Sequence, residues 1–333
     1  FKCIFCVGRK MVGAKVRYRN PQKIVDELAY LNTLGFHQIN IADDLFTASK
    51  KHCMAVCDEI IRRQLTIQWT SFARVDTVSR PTLKRMKQAG CTAVSFGVES
   101  GSPEILQTIK KGITLDQVDH AVNMCNQVGV TPQASFILGL PGETPQTLEQ
   151  TVAFAKHLKS KGVLHGYHLL APFPGTDVRE NSQAYDIQIM SDDWNDYHAN
   201  QAIVRTAAVD QQTLDGIVKE WQSTFDAWLD DIKQRRDSGE TTEEEAWPLT
   251  NLEHIVLIYD LMMKQVIEEM GWLPIREPGD LESSLARLAS CVDGTIPHTP
   301  EQIRKTLQFA TARGYLTQDR TDGNYRWKWI DYL

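Results

Sequence analysis

Apolar positions in the first 178 residues follow two alternating rhythms. Ile24, Leu28 and Leu31 recur at helical spacing after Asn20-Pro21, which supplies an N-cap and a first-turn proline, and Gly35 is expected to end that helix. His37–Ile41 then alternates like a strand and runs into Ala42-Asp43-Asp44. Helices are expected over about 49–64, 81–89, 103–110, 115–128 and 145–161. Strands are expected at 67–72, 93–96, 133–138 and 166–170. Strands and helices that alternate at intervals of roughly thirty residues predict βαβ units and a parallel α/β sheet. Five strands follow an opening cysteine loop and a basic loop over 7–19.

The rhythm breaks after residue 178. Residues 179–248 read as a helical extension, rich in Asp and Trp, that ends in a charged linker over 234–248. Residues 249–333 read as a C-terminal helical domain. It opens with an amphipathic helix over about 251–270, striped by Ile255, Val256, Tyr259, Met262 and Val266. It ends with a helix over 299–313 and two strands joined at Asp322-Gly323, a winged-helix-like unit.

Composition narrows the setting. The 333 residues are 42% hydrophobic and 23% charged, an ordinary globular mix. A net charge of −6 gives no broad footprint for nucleic acid, and residues 295–333 hold six Lys or Arg against four acidic residues. No apolar run approaches membrane-spanning length. Seven scattered cysteines fit a reducing cytoplasm better than a disulfide framework. The chain opens on Phe1 and reads as a fragment with its native amino terminus upstream.

Candidate chemistry gathers where each predicted strand ends, which is where parallel α/β folds carry it. Cys3 and Cys6 are spaced as half a zinc site, a redox pair or a chance pair. Asp43 and Asp44 are either a polar site or acidic N-caps for the next helix. Arg74 ends the next strand. Gly97-Val98-Glu99-Ser100 ends the one after, with Lys111 twelve residues beyond Glu99, a solvated surface charge if not a site residue. Ser135-Phe136-Ile137-Leu138-Gly139-Leu140-Pro141-Gly142-Glu143 ends the fourth, a run too glycine-rich for a plain turn. His168 lies on the fifth strand, where a lone histidine is more often structural. Cys53 and Cys57 sit one turn apart in a helix and read as packing residues; Cys91, Cys125 and Cys291 read as buried small hydrophobes.

Together, in this order and spacing, these stretches resemble the radical S-adenosylmethionine (SAM) superfamily over residues 1–178. The resemblance is strongest to the branch with a cobalamin-binding domain, which includes anaerobic Mg-protoporphyrin cyclase-like enzymes and radical methyltransferases. It implies a partial (β/α)6 TIM-type barrel lacking its first strand. It implies a [4Fe-4S] cluster held by Cys3 and Cys6, with a first cysteine four residues ahead of Cys3, upstream of Phe1. It implies SAM held by Phe5, by Ala42, Asp43 and Asp44, by Arg74, Glu99, Ser100 and Lys111, and by Ser135, Ile137, Gly139 and His168. Its activity would be reductive cleavage of SAM to a radical that abstracts hydrogen from a small-molecule substrate, with cobalamin as an additional cofactor for methylation or cyclisation. The electron would come from a flavodoxin- or ferredoxin-type donor, and no side chain need act as an acid, base or nucleophile. Methylthiotransferase-like and coproporphyrinogen-dehydrogenase-like activities, and a non-catalytic barrel scaffold, remain alternatives.

Overall fold

Caps written in the sequence start several of the helices. In a computed structural model, Asn20 accepts the Gln22 N–H ahead of α2 (Pro21–Thr33), which follows a short α1 (Gly8–Val12) inside the expected 7–19 loop. Ser49 accepts the His52 N–H ahead of α3 (Lys50–Arg62). Thr114 and Gln117 form a capping box on α6 (Leu115–Val128), and Thr144 and Thr147 form another on α7 (Pro145–Ser160). Two short helices, α4 (Arg80–Gln88) and α5 (Pro103–Thr108), complete the set between the strands. The described residues are 1–330, apart from 14, 35, 37, 275–280, 293, 295, 297 and 322. The expectations placed on Gly35, His37 and Asp322 therefore lie outside them.

The chain forms two compact units, Phe1–Trp221 and Gln222–Leu333. In the first, strands β1 (Gln38–Ile41), β2 (Gln68–Ala73), β3 (Cys91–Glu99), β4 (Thr131–Leu138) and β5 (Leu164–Leu169) pair in parallel in sequential order. Sequential parallel order is the order of a TIM-type barrel, so the partial-barrel expectation holds. One face of the sheet buries Trp69, Phe96 and Phe136 with the helix residues Val56, Leu83 and Val122 in a single apolar core. The other face carries Asn40, Thr70, Ser95, Gln133 and Ser135, all at least partly open. A parallel sheet normally buries both faces, and here one face stays polar and partly open. A short extension follows, with α8 (Asp177–Glu180) and the paired β6 (Gln188–Ile189) and β7 (Val204–Arg205).

The unit boundary falls inside α9 (Gln211–Asp237). The second unit continues with α10 (Glu243–Met263), α11 (Val266–Glu269), β8 (Leu273–Pro274), α12 (Leu281–Val292), α13 (Pro300–Ala312), β9 (Leu316–Thr321) and β10 (Asn324–Trp329). Its sheet is antiparallel in the order β8-β10-β9. Tyr325, Trp327 and Trp329 alternate into its core beside Leu288, Ile303 and Leu307.

Three sequence expectations are corrected here. Most of the 234–248 stretch read as a linker is helical: only 238–242 lie between α9 and α10. The apolar stripe expected along 251–270 is split: Ile255, Val256, Tyr259 and Met262 are exposed, while Val266, in α11, is buried with Leu257, Ile258 and Leu261. Helix α10 is apolar on both sides, so periodicity alone does not choose between its faces. Cys291 is exposed, because Leu288, Ala289 and Val292 occupy the core-facing positions of α12. Cys53, Cys57, Cys91 and Cys125 are buried as expected. Among the described residues no helix is long and apolar enough to cross a membrane.

Candidate functional site

The cysteine loop is clasped by its neighbours. Ile4, almost fully buried, donates its N–H to Ile109 O at 3.1 Å and accepts the Val178 N–H at 3.1 Å. The Cys6 N–H reaches Cys3 O at 3.3 Å, so both thiols sit on one turn. Cys3 is half-buried and Cys6 is exposed. Burial pushes the Cys3 thiol up, and the nearby cations of Lys111 and Arg74 pull it back part of the way. The turn also meets the end of β1: a Cβ placed on Gly8 would lie 3.4 Å from Asp44 Oδ2 and 3.6 Å from Cys6 Sγ. Asp43 and Asp44 are exposed there and do not cap α3, a task Ser49 performs.

Two thiols on one turn are a donor set suited to iron–sulfur ligation. They fit two corners of a cluster. Among the described residues, no third Cys, His, Asp or Glu completes a group that would hold a metal ion.

Beside Cys3 lies a buried ion pair. Lys111 Nζ is 2.6 Å from Glu99 Oε1, and both side chains are more than nine-tenths buried. Glu99 ends β3 with φ +71°, a left-handed conformation that a side chain other than glycine adopts at a cost, as functional sites often require. Gly97 makes the room: a Cβ there would collide with Glu99 Oε1 and come within 3.0 Å of Lys111 Nζ. Lys111 Nζ stands 6.0 Å from the centroid of the Phe5 ring. Arg74 completes the group. It grips Asp76 with two 2.9 Å bonds, donates to Lys111 O at 2.9 Å, and stacks over Phe1 at 3.8 Å. The structure thus brings Cys3, Phe5, Arg74, Glu99 and Lys111 into one neighbourhood.

Along the sheet, Ser135 and Ile137 on β4 stand opposite Gly166 and His168 on β5, with His168 exposed. Gly139 follows at φ +86°, packed so closely that a Cβ would come 2.9 Å from Val204 Cγ2. Ser100 is turned elsewhere. It is fully buried, its hydroxyl 3.0 Å from Thr151 Oγ1 and accepting the Ser102 N–H. Sequence reasoning gave Glu143 no role, yet its carboxylate holds the loop after β4, accepting the Gly139 and Leu140 N–H groups at 2.7 and 3.1 Å. Burial pushes this carboxyl up to about 8, against the pull of those two donors. The signal was available: an acidic residue four positions after a strand-ending glycine is placed to cap the turn.

Comparison with known proteins gives this geometry its context. Residues 1–155 match the profile of the Radical SAM superfamily. An uncharacterized methyltransferase of Pyrococcus horikoshii is 31% identical over 226 residues, covering 68% of this chain and 49% of the relative. An anaerobic magnesium-protoporphyrin IX monomethyl ester cyclase of Rubrivivax gelatinosus is 28% identical over 231 residues, covering 68% of this chain and 40% of that enzyme. The chain thus spans less than half the length of either relative. Among solved structures, the radical SAM methyltransferase TsrM of Kitasatospora setae, with cobalamin and a [4Fe-4S] cluster bound, superposes with a TM-score of 0.53 at 24% identity, covering 58% of this chain and 41% of TsrM. The cobalamin-dependent SAM radical enzyme OxsB superposes with a TM-score of 0.52 at 17% identity, covering 97% of this chain and 55% of OxsB. At these identities the structural likeness is one of fold.

Proposed function

Since the chain belongs, through residues 1–155, to the radical SAM superfamily, we propose that the cluster of residues around Glu99 and Lys111 binds SAM beside an iron–sulfur cluster held in part by Cys3 and Cys6. The observation that carries this is the buried 2.6 Å Glu99–Lys111 pair lying against the cysteine turn, with Lys111 Nζ 6.0 Å from the centroid of the Phe5 ring. When bound, the cluster and SAM supply one-electron reductive cleavage and a 5′-deoxyadenosyl radical that takes hydrogen from the substrate.

The chain's own residues bind, orient and exclude water. Lys111 offers a buried ammonium to the SAM carboxylate, with Glu99 holding that ammonium in place and facing the ribose or methionyl end. Asp43, Asp44 and the Ala42 backbone receive the methionyl ammonium next to Cys6. Phe5, Ile137 and the Gly139 backbone give adenine an apolar slot, with Ser135 toward the ribose and His168 at the rim. Ser100 braces the Glu99 loop from behind. Arg74 positions the Lys111 backbone through its 2.9 Å bond. The substrate is a small molecule on the open polar face of the sheet. The reaction is a methylation or cyclisation in which cobalamin takes part, the class to which the relatives' names point. The seven unpaired cysteines support a reducing cytoplasmic setting.

The test is calorimetric binding of SAM to the native full-length protein, reconstituted without oxygen, together with an assay for 5′-deoxyadenosine. Binding and reductant-dependent 5′-deoxyadenosine in the native protein, both lost in K111M, are expected. SAM binding that survives in K111M would overturn this assignment of the site.

A further inference from the structure

The turn after β5 leads to an arginine that the proposed SAM site does not use. Pro172-Phe173-Pro174-Gly175-Thr176 leaves the carboxyl end of β5. Phe173 O closes this turn, accepting the Thr176 N–H at 3.2 Å and the Thr176 hydroxyl at 2.6 Å. Two residues on, the Val178 N–H clasps the cysteine turn at Ile4 O, and Arg179 comes next. Arg179 Nη1 donates to Pro172 O at 2.9 Å and to the Tyr197 hydroxyl at 2.7 Å. Tyr197 is buried and donates that hydroxyl to Ser191 O at 3.0 Å, which fixes the guanidinium in one orientation. The loop that carries Tyr197 is tied to β5, where the Leu169 N–H donates to Ala199 O at 2.8 Å.

Arg179 is partly buried, and among the described residues it forms no ion pair. Carboxylates close to it in sequence are engaged elsewhere: Asp177 by Tyr185 and Asn181, Glu180 by the Gly175 N–H, Asp196 by Ser191. Its Nε and Nη2 donate to no described residue, and neither is shut away from solvent. A guanidinium takes a carboxylate through two parallel N–H bonds, and this fork has that edge free. Aromatic rings flank it. Arg179 Cζ lies 5.2 Å from the Trp194 ring and 5.6 Å from the Tyr197 ring. Trp194 and Phe173 both pack on Tyr197, with centroids 4.8 and 6.1 Å away, yet Trp194 is 58% exposed and Phe173 40%. An oriented cation without a counter-ion, beside two open rings, is complementary to a planar anion.

We propose that Phe173, Arg179 and Trp194 form a subsite for an aromatic carboxylate. Arg179 takes the carboxylate, and the two rings pack on the aromatic plane. The subsite lies past the carboxyl end of β5 and next to the cysteine turn, on the side of the fold where barrel enzymes hold substrate. It names the substrate class of the reaction proposed above, and as a substrate subsite it rests on that reading.

The experiment is calorimetric binding of three probes to the full-length protein: 1-naphthaleneacetate, 2-(1-naphthyl)ethanol, which lacks the charge, and cyclohexaneacetate, which lacks the aromatic plane. The native protein should bind 1-naphthaleneacetate at least about tenfold more tightly than either of the others. In R179Q the preference over the alcohol should disappear. In W194A the preference over cyclohexaneacetate should shrink severalfold, while SAM affinity stays within about twofold of native in both variants. Equal binding of the acid and the alcohol by the native protein, or no binding of the acid, overturns the proposal, and that comparison needs no variant. A preference for the acid that survives in R179Q overturns it as well. Failure of the SAM reading appears separately, as absence of SAM binding to the native protein, and leaves the probe comparison readable because no probe requires SAM.

Discussion

The two units bury different things. Unit 1 hides Glu59, Arg74, Glu99, Lys111 and Glu143 from solvent; among the described residues, the buried polar side chains of unit 2 are the hydroxyl-bearing Ser284 and Thr306. Both units leave large apolar side chains in the open, Phe1, Met11 and Trp194 in the first and Ile255, Tyr259 and Met263 in the second. Taking a charge out of water costs several kcal/mol unless a partner compensates, so charges stay buried where chemistry uses them. Unit 1 therefore holds the buried charges around which the proposed site is argued, and the core of unit 2 is apolar among the described residues. Unit 2 is also acidic, with 20 Asp and Glu against 12 Lys and Arg.

The comparison can be broken most directly at one ion pair in each unit. Lys111→Met leaves Glu99 buried without a partner and should cost about 3–5 kcal/mol in urea unfolding of unit 1. The double variant E99Q/K111M should recover much of that stability without recovering SAM binding, which separates stability from function. In unit 2, Arg236→Ala breaks the 2.8 Å contact with the more open Glu253 and should cost about 0–1 kcal/mol. Equal losses in the two units would remove the contrast.

Leu288 sharpens the other half of the comparison. It is fully buried in the second core, and Leu288→Ala should cost about 2–5 kcal/mol. Met263→Ser on the exposed face of α10 should stay within about 0.5 kcal/mol. A large loss there would mean that the exposed stripe is covered in solution.

Glu143 sharpens the comparison through pH. Its carboxyl sits at about 8 in the fold against an ordinary 4.5. As pH rises through that window, the unfolded chain ionises first and the folded state loses relative stability. The slope should reach up to about 1.4 kcal/mol per pH unit. Its contribution is therefore most favourable below pH 4.5 and declines as pH approaches 8. Glu143→Gln, which keeps an oxygen for the Gly139 and Leu140 N–H groups, should flatten that slope in urea titrations at pH 5, 6.5 and 8. An unchanged slope would place the pH dependence elsewhere.

Much of unit 1 was legible because its signals are local. Asn20-Pro21, Ser49 and Thr114 announce helix starts, and strand-ending glycines and carboxylates mark the site edge. The direct Glu99–Lys111 contact was not legible. Spacing linked the two residues, but only the close approach allowed by Gly97 joins them. Ser100 carries the same motif signal as Glu99 and turns the other way, toward Thr151, because a strand end sends neighbouring side chains to opposite sides. In unit 2, α12 has no counterpart among the sequence expectations, and of the stripe expected along 251–270 only Val266 is buried. With apolar residues on both sides of a helix, the choice belongs to tertiary packing.

The account stands or falls on whether SAM and the cluster meet at this site. The direct measurement is the electron paramagnetic resonance spectrum of the reduced, reconstituted full-length protein, recorded with and without SAM, for the native sequence and for K111M. The account predicts a [4Fe-4S]⁺ signal that SAM perturbs in the native protein and leaves unchanged in K111M. A reduced-cluster signal that ignores SAM in the native protein, or no cluster signal at all, would contradict it.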